Sequence, residues 1–592
     1  MRRAKASCLV LLSLWMLLPA CWAENAAKPK DEPQVEPATL HSLGIYWIIE
    51  GDDNRNACVQ TFVRKKGAQE WRQGLPLFRV EKGGNKLQEG LKTKLNVPRD
   101  AWLFAGSLLL LEPGTEYEVR LALKDPDGGE AEKVLAMTTA VEPALALDAP
   151  RKVLHVVPGK EGGSGTEKDP YQGLVEAQKN AEPDVIFLLH AGAYEGPFLI
   201  EKFGKPGKPI VWRAAGDGLV EIVSKGPNGE LAERVISGSD IHDVWFEGLT
   251  LRNAHYGVVL HRSWNIVLRG CHIHQVEYGI TFTNNTNDKV RNIFIADCVI
   301  EGPSVWPRTP EKGIENARGI QATGTGIEVC YNRIRGFADA VDTFGSPRCC
   351  AIDFHHNDID VMTDDGIEMD YSERNTRCFY NRLTNCFQGI SLQPVHGGPI
   401  YVFRNVMYNV VGEPFKLHNE PSGGLLLHNT CVKKGMPHGV YAGGAKIINT
   451  VSRNNLFIGT EATYAAEFTT TMVNCNFDYD GFGGGPYRDF LKWNEVRYKT
   501  FEELKEKTPA YRNAVIVDPA TAFTSGLKPP EDEQKQMKVS GNDLRLKEGT
   551  AAIDAGEVLP GINDGFAGKA PDLGAYEFGA PVPHYGPRTG EK

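Results

Sequence analysis

Seven residues of this 592-residue chain occupy one recurring position and set where chemistry could sit: Val259, Thr281, Gln321, Asp342, Glu368, Ser391 and Lys416. Two residues after each runs a second series, His261, Thr283, Thr323, Phe344, Asp370, Gln393 and His418, while Asp339 and Asp365 stand just ahead of the small residues Ala340 and Gly366. Five carboxylates (Asp339, Asp342, Asp365, Glu368 and Asp370) thus fall on two consecutive repeats. Arg318 lies one repeat before them, and Lys416 and His418 lie two repeats after. A solvated polar face is the plain alternative. Stacked like charges repel across neighbouring strands, however, and a face without a task would more cheaply use Thr, Asn or alternating charge. Crowding should lift at least one carboxyl pKa and set a protonated acid beside an ionised partner.

Such a constellation suits glycoside hydrolysis, where one carboxyl gives its proton to the leaving oxygen and another attacks or activates water. Asp342, Glu368 and Asp370 are the expected catalytic groups. With strands spaced ~4.8 Å, Asp342 and Glu368 would be roughly 5 Å apart and Asp342 and Asp370 roughly 8 Å, so retention and inversion are both open. Arg318, Gln321, Gln393, Lys416 and His418 would bind substrate. Trp306, in the insertion 302–313, would overhang the same face and stack on a sugar ring or anchor the loop. No cofactor is required. A second chemistry is β-elimination in a uronate polymer, with Asp339 and Asp365 among the acids holding Ca²⁺, Lys416 as base and Arg318 or Arg404 near substrate. A third possibility is a non-catalytic carbohydrate-binding or adhesin-like face. Hydrolysis is favoured, because basic residues around the acids are sparse for an anionic polymer.

These columns exist only if the chain coils. Leu249, Cys271, Cys298, Asn332, Asn357, Asn381, Asn405, Asn429, Asn455 and Cys475 each precede an apolar residue by two positions, at spacings of 22, 27, 34, 25, 24, 24, 24, 26 and 20. One coil is therefore about 24 residues, and the run Asn332 to Asn429 predicts a stacked asparagine ladder. Each coil also reads small, apolar, outward, apolar, as in Gly279-Ile280-Thr281-Phe282 and Gly366-Ile367-Glu368-Met369. Strand side chains alternate faces, so the first and third members of such a triplet point inward and the middle one points out.

Ahead of the coils, Val153 to Val157, the loop Gly159 to Thr166, an amphipathic stretch around 171–181 and Val185 to Leu189 resemble the N-terminal cap of the right-handed parallel β-helices of the pectate-lyase-like superfamily. The loop lacks the Gly-Lys-Ser/Thr of a phosphate cradle. Asp342-Thr343 and Asp364-Asp365-Gly366 resemble two elements of polygalacturonase-like glycosidases, whereas the Gly-His-Gly and Arg-Ile-Lys of that pattern are absent. Leu111-Glu112-Pro113-Gly114-Thr115-Glu116-Tyr117 resembles the signature ahead of the penultimate strand of fibronectin type III domains, whose tyrosine hydroxyl ties the corner to upstream backbone. The expected organisation is a signal peptide (1–23), a linker (24–38), a fibronectin type III-like β-sandwich acting as spacer or carbohydrate-contacting module (39–148), a β-helix with its cap (152–480), and a closing segment over the last coil (481–592).

Composition is consistent with this. The 63 glycines exceed the usual ~7% share, and the 36 prolines do not suggest disorder. A net charge of −10 speaks against nucleic acid or anionic membrane as general partners and leaves a polysaccharide or oligosaccharide. Arg2, Arg3 and Lys5 before the apolar run 8–18 imply export from a bacterial cell, and Leu18-Pro19-Ala20-Cys21 loosely resembles a lipobox that would anchor Cys21. No other run reaches the ~18 apolar residues of a membrane span. The ten cysteines beyond the signal are too dilute for a disulfide scaffold. Oligomeric state leaves no mark on the sequence.

Overall fold

The computed structural model describes residues 25–81, 97–98, 101–145, 151–226, 228–283, 289–308, 317–343, 349–440 and 446–588. The expected signal segment, Cys21 and Phe344 lie outside the described residues. The protein is all-β: a parallel solenoid of about 11 turns follows a separate antiparallel, barrel-like N-terminal domain. Two long sheets of 16 and 22 strands, parallel except for the antiparallel pair Leu491–Trp493 and Val496–Tyr498, form the solenoid walls. Among the described residues no helix is long and apolar enough to cross a membrane.

The apolar column expected to point inward does so. Val258, Ile280, Ile320, Val341, Ile367, Ile390 and Phe415 are all fully buried, each removal from water contributing about 1.5–3 kcal/mol before ordering costs. The small residue ahead of each is set by contact between coils. A Cβ added at Gly257, Gly279 or Gly319 would meet the carbonyl oxygen of the next coil at 2.6, 2.3 or 2.5 Å. These glycines therefore answer to close approach of backbones.

The asparagine ladder is complete. Asn332, Asn357, Asn381, Asn405 and Asn429 each donate from backbone and side chain to the Oδ1 of the next asparagine, through Asn455, at 2.9–3.1 Å. Asp480 ends the ladder, accepting from both nitrogens of Asn455 at 2.8 and 2.9 Å. Cys475, expected in this column, lies outside it, with Sγ 3.4 Å from the Ile447 carbonyl. Its spacing of 20 marks a different turn.

The chain termini differ most from expectation. Strands Lys28–Pro29 and Gln34–Val35, within the supposed linker, both pair with Leu43–Glu50. The N-terminal domain packs on the solenoid: Asp353 Oδ2 on a solenoid strand accepts from Thr39 Oγ1 (2.7 Å) and Ser42 Oγ (3.0 Å), Arg377 Nη1 donates to Ser107 Oγ (3.0 Å), and Arg377 pairs with Asp353, both fully buried. At the other end, pairing continues past residue 480 to Val515–Ile516, and Leu491, Trp493, Leu504 and Tyr511 close the core. The remaining chain is not a lid. It runs back along the solenoid, where Met537 N donates to Asn385 Oδ1 (2.8 Å), Gly586 N to the His356 carbonyl (2.9 Å), and Arg588 pairs with Asp297 (2.6 Å).

Candidate active site

The outward column stacks in the expected register. Val259 pairs with Thr281, Thr281 with Gln321, Gln321 with Asp342, Asp342 with Glu368, Glu368 with Ser391 and Ser391 with Lys416. One column over, Arg318 pairs with Asp339, and Asp365 N donates to Asp339 Oδ1 at 3.0 Å. The five carboxylates come together, but not on the exposed face anticipated from alternation. Asp342 is 0% exposed, Asp365 and Asp370 1%, Asp339 4% and Glu368 8%. Around them, Arg318, Gln321, Gln393, Lys416 and His418 are half-buried and form the rim.

Charge this deep must be paired or removed. Arg318 pairs with Asp342 and reaches Asp339 at 3.9 Å. Lys416 Nζ donates to Asp365 Oδ2 at 2.9 Å. Asp370 Oδ1 accepts from Ser391 Oγ (2.7 Å) and Gln393 N (2.6 Å). The other carboxyls turn to protons. Burial, followed by the charges of Asp370 and Asp342, pushes Glu368 up to about 11, and Glu368 shares a hydrogen bond with Asp370. Burial, then Asp365, brings Asp370 to about 7. Burial, with Asp339 adding to it against the pull of Lys416, takes Asp365 to about 8. Asp339 is raised well above the carboxylate range by burial and then by Glu368. Burial alone would lower Lys416 and Arg318, yet their acidic partners outweigh it and both are raised.

Asp339, Asp365 and Glu368 each offer an oxygen within 4.8 Å of the others. Three oxygens fall short of the 6–8 that Ca²⁺ takes, and Lys416 already occupies Asp365. A second group, Glu328, Cys330 and His355, is likewise committed. Glu328 takes Leu40 N (2.8 Å) and His355 Nε2 (2.7 Å), and His355 Nδ1 meets His356 Nδ1 at 2.7 Å. These residues belong to the seam between the domains.

Two expected binding groups sit elsewhere in the scheme. The Trp306 indole N–H is spent on the Glu533 carbonyl at 3.2 Å, so this tryptophan anchors the insertion to the C-terminal strap. Arg404 donates to the Ala575 carbonyl (3.0 Å) on that strap, away from the acids. Conversely, Ser391 proves to hold Asp370, a role its place in the acidic column could have suggested. Tyr278 and Tyr256 continue the Arg318 column beyond the acids, and the aromatic pair at one repeat position was the signal for them.

Residues 228–393 match the family described as "Right handed beta helix region". No curated protein sequence matches the chain. Among solved structures, the chain is similar to a rhamnogalacturonan lyase at 13% identity and TM-score 0.36, covering 67% of this chain and 97% of that one. It is similar to an alginate lyase from Paenibacillus sp. str. FPU-7 at 16% identity and TM-score 0.28, covering 50% and 94%. It is also similar to the catalytic domain of a GH87 alpha-1,3-glucanase in complex with nigerose, at 12% identity and TM-score 0.22, covering 83% and 91%.

Proposed function

We propose that the chain is an exported enzyme that hydrolyses a glycosidic bond in a polysaccharide. One observation carries the reading: Glu368, kept protonated by burial and by Asp370, stands in direct register with Asp342, which pairs with Arg318. Register partners on adjacent coils lie about 4.8 Å apart, close to the ~5–5.5 Å between acid and nucleophile in retaining enzymes. Glu368 gives its proton to the leaving oxygen, and Asp342 attacks the anomeric carbon. Once ionised, Glu368 activates water, which hydrolyses the glycosyl–Asp342 ester. Asp370 shares a hydrogen bond with Glu368, which leaves no room for a sugar between them, so it positions the acid, itself held by Ser391 and Gln393 N.

The elimination reading loses support at Lys416. A base must be free of its proton, and Asp365 holds the Lys416 proton in place. Calcium has no part in the proposed reaction. We read the N-terminal domain as fibronectin type III-like, on its strand order and on Glu112 N, which donates to the Tyr117 hydroxyl at 3.0 Å.

The deciding experiment incubates the protein with a polysaccharide panel, following new reducing ends and the absorbance of unsaturated uronates. New reducing ends with no unsaturated product, lost in Glu368→Gln, support hydrolysis. Unsaturated product overturns it, and binding without turnover leaves a non-catalytic module.

A further inference from the structure

On the N-terminal side of the acids, Tyr256 and Tyr278 are register partners and stack face to face, with centroids 4.6 Å apart and planes at 14°. They stand one and two coils before Arg318 in the same column, since Ile280 pairs with Ile320. Both rings are half-buried, and among the described residues neither hydroxyl has a hydrogen-bond partner. Beside them the outward column offers a smooth, small floor of Ser237, Val259 and Thr281, bordered by His261, whose Nδ1 meets Thr283 Oγ1 at 2.7 Å. A tyrosine edge carries apolar area and a polar tip, the combination that meets a sugar's faces and hydroxyls.

The charge along this strip is spent. Among the described residues of the two columns the cations are Arg234, Arg318 and Lys416, and each pairs with a carboxylate: Glu233, Asp342 and Asp365. Within these two columns no cation among the described residues is left without a carboxylate, and the acids ahead would repel a uronate. Buried Asp365 Oδ1 also has no hydrogen-bond partner among the described residues.

We infer that Tyr256 and Tyr278 form the binding subsites next to the acids and that the polymer is a neutral polysaccharide lying along the solenoid axis. The inference rests on the proposed hydrolysis and adds to it the substrate class. An extended chain meets a new coil about every 4.8 Å, roughly one sugar ring.

The test uses the full-length Glu368→Gln protein, so that ligands bind without turnover. Titrate it with neutral gluco-, xylo- and manno-oligosaccharides of increasing length and, separately, with oligogalacturonides. The inference expects neutral chains to bind, with affinity unchanged from about 50 to about 500 mM salt. It expects Tyr278→Ala and Tyr256→Ala each to weaken longer chains about tenfold while sparing disaccharides, and Tyr→Phe to lose part of that. Preferred, salt-sensitive binding of oligogalacturonides overturns it, as do tyrosine variants that leave long neutral chains unaffected. Turnover by the unmodified protein reports on hydrolysis separately. If a uronate polymer is hydrolysed, the substrate class falls and the hydrolase stands; if nothing is bound or cleaved, both fall.

Discussion

Lys416 Nζ lies 2.9 Å from Asp365 Oδ2, although the two residues belong to coils two steps apart on the stack. The lysine stem crosses the intervening coil to reach a carboxylate only 1% exposed. Above about pH 8, where Asp365 is ionised, removing one partner of such a pair should cost about 3–5 kcal/mol, because the other charge stays buried alone. Lys416→Met is therefore expected to lower the unfolding free energy by that order, and Lys416→Met combined with Asp365→Asn to recover most of it. A double-mutant cycle in chemical denaturation measures this; additive single effects would show the pair to be independent.

Glu368→Gln keeps the side-chain shape and removes the transferable proton. Turnover is expected to fall about 10²- to 10⁴-fold with little change in KM. Asp370→Asn should cost less and shift the pH profile, since it acts through Glu368. NMR of the first product formed should show the anomeric configuration of the substrate retained. An inverted product would remove Asp342 from the role of nucleophile.

The raised carboxyls also set a pH dependence of stability. Between the unfolded value of about 4 and their folded values, Asp370 (about 7) and Asp365 (about 8) hold protons that the unfolded chain has released. The folded state binds more protons there, so their contribution to stability falls as pH rises through that window. Buried His396 and half-buried His418, lowered to about 4 by loss of solvation, act oppositely below 6.5, where the unfolded chain takes up protons that they refuse. The two effects oppose each other below about pH 6.5, and above it the decline runs on through about pH 8, with Glu368, pushed up to about 11, carrying it further. Melting temperature against pH checks this, and Asp365→Asn should flatten the alkaline decline.

The coil and its side-chain columns were legible because repetition multiplies a weak signal. Asn332 alone says little, whereas five asparagines at spacings near 24 fix register, and register alone placed Asp342 beside Glu368. What sequence could not reveal was depth. Alternation separates inside from outside but says nothing about what lies over the outside, so the acidic column was expected to be exposed and proved buried. Long-range returns of the chain were equally hidden. Thr39 meets Asp353 and Arg588 meets Asp297 across hundreds of residues, through polar contacts that leave no periodic trace. Trp306 shows the same limit: its type suggested sugar stacking, while its partner, the Glu533 carbonyl, comes from the strap.

Chelation offers a short check on the acid cluster. Because Lys416 and protons already neutralise Asp339, Asp365 and Glu368, EDTA should leave activity unchanged. Millimolar CaCl₂ should leave the melting temperature unmoved. A rise with Ca²⁺ that disappears in Asp339→Asn would mean that a cation displaces Lys416 from Asp365.

Mid-ladder, Asn381 connects three coils. Its Nδ2 donates to the Phe354 carbonyl (2.8 Å) and Asn405 Oδ1 (3.0 Å), while its Oδ1 accepts from Asn357 N (3.1 Å) and Asn357 Nδ2 (2.9 Å). Asn381→Ala would take the side-chain partner from Asn357 N and from the Phe354 carbonyl in a fully buried interior, each unsatisfied group costing about 1–3 kcal/mol, while Asn405 Oδ1 keeps the Asn381 backbone N at 3.0 Å. Asn381→Asp keeps the acceptor that Asn357 needs, as Asp480 does for Asn455 at the ladder's end, but it removes the donor and sets carboxylate against Asn405 Oδ1. The order of stability is therefore expected to be wild type, then Asn455→Ala, then Asn381→Ala, because Asp480, the acceptor of Asn455, keeps a second donor in Ser452 Oγ at 2.6 Å. Denaturant midpoints measure this order. Equal losses at the two positions would mean that the ladder acts as independent rungs, whereas a larger loss at Asn381 marks hydrogen bonds that support one another along the stack.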